Sequence, residues 1–120
     1  MPFFTWPTVV KDVTPGPTMY AGMSRQSYVH ENKMFCMHEA LPNLTCPPHR
    51  HDAEQTCIII KGKMRFRIGQ EERVLGPGDI AYVPSGVEHS IASLDEYVLA
   101  LDIFAPLRPD IMERLKEIGL

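Results

Sequence analysis

His49 and His51 stand one residue apart in Pro47-Pro48-His49-Arg50-His51-Asp52-Ala53-Glu54-Gln55. In a strand, side chains two apart share a face, so the two imidazoles point the same way. Gln55 falls on the same parity if the pleat continues. Two imidazoles on one strand face make a bidentate site for a divalent transition metal. A third imidazole is available from His89, which follows the turn residues Pro84-Ser85-Gly86 and opens a strand.

The elements that must position these groups are short strands. Strand-like stretches run over 20–30, 33–40, 55–60, 63–68, 80–83, 89–93 and 97–104. Turn residues separate them: Gly62, Gly69-Gln70, Gly76-Pro77-Gly78 and Pro84-Ser85-Gly86. In Gly76-Pro77-Gly78, Pro77 pre-sets φ and Gly78 supplies the positive φ of a type II turn. Eleven Pro and eight Gly in 120 residues match a turn-rich domain, and the pattern predicts an all-β sandwich or barrel. Residues 1–17, with four prolines, read as an arm lying over something. Residues 109–118 read as a C-terminal α-helix, because Ile111, Met112, Leu115 and Ile118 recur at helical spacing. Asp110 and Glu113 suggest a capping box, and covering one face of the sheet is the expected role of the helix. The whole chain, 1–120, reads as one domain.

Composition excludes several partners. A net charge of −3 gives no electrostatic footprint for nucleic acid or an anionic membrane. The longest apolar run, Cys57-Ile58-Ile59-Ile60, is far too short to span a bilayer, and no targeting segment is expected. Three cysteines without metal-knuckle spacing read as free thiols in a reducing cytoplasm, with a Cys46–Cys57 bridge as the alternative.

The last strand carries a second signal. Leu99, Leu101 and Ile103 form one apolar face, and Ala100, Asp102 and Phe104 form the other. If the apolar face packs under the helix or a partner chain, Asp102 faces the interior, where an acid is costly unless used or paired. His30 and His38 read as satisfied strand histidines or surface groups. Arg65 and Arg67 read as a solvent face, Cys57 as packing, and Met19, Met23, Met34, Met37 and Met64 as core filler.

The two histidine segments resemble the paired motifs of the cupin superfamily, G(X)5HXH(X)3-4E(X)6G and G(X)5PXG(X)2H(X)3N. Gly78, Pro84, Gly86 and His89 match the second, with Ser93 in place of its final Asn. His49, His51 and Gly62 match the first, with Asn43 in place of its leading Gly and Gln55 in place of its Glu. Asn, like Gly, tolerates the left-handed region. The resemblance spans roughly residues 30–104. It implies an RmlC-like double-stranded β-helix, a jelly-roll barrel holding a metal in its lumen. The ligands carried over are His49, His51, Gln55 and His89. Glu54 is the competing fourth ligand, but parity puts it on the opposite face from His51. Three neutral imidazoles and a neutral amide leave a bound Ni, Zn, Fe or Mn ion its full positive charge. Such a site favours Lewis-acid chemistry over high-valent iron.

His49-x-His51-x-x-Glu54-Gln55 and the ending Asp102-x-Phe104-x-Pro106-x-Arg108 are similar to KdgF-type cupins. These open the ring of 4,5-unsaturated uronates from pectin and alginate to give linear keto-uronates. The resemblance implies Asp102, Phe104 and Arg108 as active-site residues, a small acidic sugar as substrate and a lyase or isomerase activity. An oxygen-using cupin and a non-catalytic sugar-binding barrel are the alternatives. A homodimer would cover the apolar face of the last strand.

Overall fold

The computed structural model describes residues 3–16 and 18–119. Nine strands form two antiparallel sheets: β1 (Met23–His30), β2 (Lys33–Ala40), β3 (Thr45–His49), β4 (Glu54–Lys61), β5 (Met64–Ile68), β6 (Glu71–Leu75), β7 (Ile80–Val83), β8 (His89–Ser93) and β9 (Val98–Ala105). One helix, α1 (Pro109–Glu117), follows. The five-stranded sheet runs β1-β2-β9-β4-β7 and the four-stranded sheet β3-β8-β5-β6. The all-β jelly-roll expectation therefore stands.

Period-two burial builds the interior. Along β9, Val98, Ala100, Asp102 and Phe104 point in, and along β2, Met34, Cys36, His38 and Ala40 do. Opposite them, Met64 and Phe66 of β5 close the core, while Arg65 stays at the surface. Both glycine-rich turns behave as their residues require. Gly78 has φ +87°, and the Asp79 amide donates to the Gly76 carbonyl at 3.0 Å. Asn43, standing where the motif has glycine, adopts φ +61°.

Two strands lie outside the sequence expectation. β3 contains Pro47 and Pro48 and ends at His49, short of the strand face expected to carry His51 as well. It is an edge strand with a register shift between Cys46 and His49, where a missing N–H disrupts little. β6 is polar and also an edge strand, so it shows no alternating apolar signal. The first strand begins at Met23, not Tyr20.

The helix also departs from expectation. It covers only the end of the inner face of the five-stranded sheet. Ile111 and Leu115 pack on the inward-facing Met34, Cys36 and Phe104, so the helix closes one end of the barrel. Leu99, Leu101 and Ile103 are left half-exposed on the outer face of the sheet. Asp110 is not the N-cap. The N-cap is Arg108, without a side-chain cap bond, and Pro109 opens the helix. The arm lies across β1: Phe4 stacks on Tyr28, and Gln26 donates to the Trp6 and Val9 carbonyls. Asp12 then joins the arm to the helix through Arg114, at 2.8 Å.

Gly62 shows the tightest backbone approach. It has φ +83°, and a Cβ there would overlap the Tyr97 carbonyl oxygen, whereas a Cβ on Gly78 would meet open space. Gly62→Ala should therefore cost about 3 kcal/mol or more in urea denaturation, against about 1–2 for Gly78→Ala. Equal costs would contradict the close approach.

Candidate metal centre

Paired strands and a tight turn bring the three histidines together. His49 ends β3 directly opposite His89, the first residue of β8, with ring centroids 4.2 Å apart. His51 lies beyond the strand, in the segment crossing to β4. The parity expected from His49 to Gln55 is therefore not that of one continuous strand. A turn contact fixes His51 instead: the Gly86 amide donates to its carbonyl at 2.9 Å, joining the two histidine segments. Its ring meets Phe104 edge-on at 5.6 Å.

The protons of the three rings are assigned by their partners. Nδ1 of His49 faces the Pro47 carbonyl at 3.0 Å, that of His51 the Ala53 carbonyl at 2.8 Å, and that of His89 the Val87 carbonyl at 2.9 Å. A carbonyl only accepts, so each Nδ1 carries a hydrogen, and Nε2 is the atom each ring leaves free as a ligand. One ligand atom from each of the three residues lies within 4.8 Å of the others. His89 is 1% exposed, and its Nε2 has no hydrogen-bond partner. Buried polar atoms are rarely left so, and converging lone pairs are what a transition metal needs. The residues present thus fit the expected metal.

Gln55 and Glu54 separate cleanly. Gln55 is buried, with Oε1 3.2 Å from His51 Nε2. Glu54 is exposed and accepts from the Tyr82 hydroxyl on the outside of the barrel. Cysteine competes poorly as a ligand. Cys46 and Cys57 are free and buried, and burial raises both thiols, Cys57 well above its usual value.

The remaining expected residues, Asp102, Phe104 and Arg108, line a cavity of about 180 Å³ together with His49, Gln55 and His89. Asp102 is 6% exposed; Oδ2 lies 2.7 Å from His38 Nδ1, and Oδ1 accepts from Gln55 Nε2 at 2.8 Å. Burial would raise the Asp102 carboxyl, but hydrogen bonds from His38, Gln55 and Cys57 hold it below its usual value. Burial keeps His38 neutral despite Asp102. The contact is a charged carboxylate accepting from a neutral ring. Arg108 lies over the Phe104 ring at 5.1 Å, and its fork is engaged by Asp110, with Nη2 to Oδ2 at 2.6 Å. The sequence reading set His38 aside and did not weigh Arg25, which is buried beside it. The signal was parity: His38 shares the inward phase of Met34, Cys36 and Ala40.

Barrel, histidine pair and third histidine together define a cupin. Residues 37–104, more than half of the chain, match the family described as Cupin domain, and the chain belongs to it. Its likeness extends to one kind of cupin. It is 28% identical over 106 residues to the pectin degradation protein KdgF of Dickeya dadantii, spanning 86% of this chain and 96% of that one. The structure of KdgF from Halomonas sp. superposes with a TM-score of 0.71 at 26% identity, covering 75% of this chain and 84% of that one. An RmlC-like cupin from Shewanella frigidimarina shares the fold, with a TM-score of 0.81 at 20% identity over 92% of this chain and 96% of that one. The chain is a KdgF-like cupin. Among the described residues, no helix is long and apolar enough to cross a membrane.

Burial lowers His89 to about 4, against 6.5 for an ordinary histidine. It lowers His51 too, with a smaller contribution from Arg108. Between these values the unfolded chain takes up the extra proton. Metal-free protein should be most stable above pH 6.5 and lose stability as pH falls toward 4. Thermal melts in chelator across this range, with the His89 ring followed by NMR, check the sign. A His89 midpoint near 6.5 would contradict it.

Proposed function

We propose that this protein is a metal-dependent enzyme that opens the ring of 4,5-unsaturated monouronates, giving linear keto-uronates. The observation that carries the reading is the convergence of Asp102, Phe104 and Arg108 on a cavity that His49, Gln55 and His89 also line, with His51 completing the histidine cluster at its edge. Similarity to KdgF over most of both chains supports an acidic sugar as substrate.

Each residue has a task its chemistry allows. His49, His51, His89 and Gln55 would hold a divalent ion such as Ni, Zn, Fe or Mn. That ion would supply Lewis-acid polarisation of substrate oxygens. Arg108 offers a planar guanidinium to the uronate carboxylate, which would exchange for the Asp110 carboxylate now on its fork. Phe104 presents an apolar face to the sugar. Asp102 is the proton carrier. Three of its roughly four lone-pair positions accept from His38, Gln55 and Cys57, leaving one for substrate. It takes the proton of the anomeric hydroxyl as the bond between the anomeric carbon and the ring oxygen breaks. The electron pair moves through the ring oxygen and the double bond, and the proton returns to carbon 4. The step is an isomerisation, with atoms and electrons balanced and no oxidant consumed. A cytoplasmic setting and a homodimer belong to this reading. The outer sheet face, with half-exposed Leu101 and Ile103 and exposed Ile80 and Tyr82, supports a second copy as its cover.

Unsaturated galacturonate offers a direct assay, because ring opening removes its ultraviolet absorbance. Metal-loaded protein should remove it faster than the spontaneous reaction, without oxygen uptake. Asp102→Ala should slow the reaction by about 10²–10⁴-fold, and a chelator should abolish it. No rate above the spontaneous one with metal bound would overturn the substrate, and oxygen uptake would overturn the reaction class.

A further inference from the structure

Arg25 is 3% exposed and sits on β1 beside the cavity. The Thr18 hydroxyl and carbonyl hold its two terminal nitrogens at 3.0 and 2.6 Å. Its Nε lies 2.9 Å from His38 Nε2. Arginine has five N–H donors and no acceptor. His38 Nε2 must therefore accept, and the single proton of the neutral ring must sit on Nδ1. That N–H points at Asp102 Oδ2, 2.7 Å away. Asp102, an acceptor on both oxygens, takes the Gln55 amide N–H on Oδ1 at 2.8 Å. With its nitrogen committed to Asp102, the Gln55 amide turns Oε1 toward the bare Nε2 of His51.

Each bond in this chain has one possible direction, set at its far end by a group that can only donate. A flipped Gln55 would bring its oxygen against the Asp102 carboxylate and its NH₂ against the ligand position. An amide NH₂ has no lone pair to give a metal, whereas the oxygen has two.

We propose that His38, locked as the Nδ1–H tautomer by Arg25, is a positioning residue: through Asp102 it fixes which end of Gln55 faces the metal site. The inference rests on the metal reading of the histidine cluster and not on the choice of substrate. Asp102 thus has a structural duty besides its part in catalysis.

Two substitutions separate the halves of the imidazole. His38→Gln keeps a polar atom near Nε2 for Arg25 and removes the donor to Asp102. His38→Asn does the reverse, placing an amide nitrogen where Nδ1 stood. Co(II) is the probe, because its visible bands report ligand set and geometry. His38→Gln should weaken Co(II) binding by about ten-fold or more and alter the bands, while His38→Asn stays within about three-fold with bands unchanged. Nitrogen-15 NMR of the unsubstituted protein should find the His38 proton on Nδ1. Unchanged affinity and bands in His38→Gln, or a proton on Nε2, would overturn the inference and leave the metal reading standing. Absence of Co(II) binding by the unsubstituted protein would overturn both. The tautomer measurement decides even where a variant does not fold.

Discussion

A neutral imidazole carries one proton on one of two nitrogens, and in this barrel the backbone claims that proton three times. His49, His51 and His89 each give Nδ1–H to a carbonyl two residues away. The three remaining ligand atoms are brought within 4.8 Å of one another, and the buried His89 Nε2 is left without any partner. Such an arrangement is electrostatically unfavourable until a cation fills it. The pairing of β3 with β8, the Gly86 contact to His51 and the order of the sheets all serve to keep those atoms close.

Around this point the barrel stacks apolar and polar groups in turn. Part of the apolar core, with Ile59, Val83, Val98 and Ala100, surrounds it. Beside it lies a polar chain from Arg25 to Gln55, each member satisfied by the next. Close to the site the helix packs Ile111 and Leu115 over Phe104 and Met34, giving Phe104 a fixed backing while Arg108 covers its ring. The arm completes the structure from outside. Thr18 seats Arg25, and Asp12 anchors the segment to the helix. A residue far from the histidines in sequence thereby reaches the site through a chain of hydrogen bonds.

The parts that were legible in the sequence are those written in local periods. His49 and His51, the glycine turns, and the two faces of β9 all announce themselves within a few residues. Asn43 could be read because the left-handed region admits few residue types. β3 and β6 were missed because edge strands are free of the rules that mark central ones: one carries two prolines and the other is mostly charged. The helix showed its apolar stripe but not what the stripe covers, and Asp110 was drawn from capping to Arg108. The Arg25–His38–Asp102–Gln55 chain was hidden for a different reason. It runs laterally across β1, β2, β9 and β4, joining residues up to 64 positions apart within a single bond. No periodicity along one strand encodes that order.

The proposed metal site consists of three imidazole nitrogens and one amide oxygen inside the barrel. X-ray absorption at the metal edge of zinc-loaded protein tests it most directly. The account predicts one zinc per chain, three imidazoles at about 2.0–2.1 Å and oxygen completing the shell. A sulfur scatterer at about 2.3 Å, or fewer than three imidazoles, would contradict it.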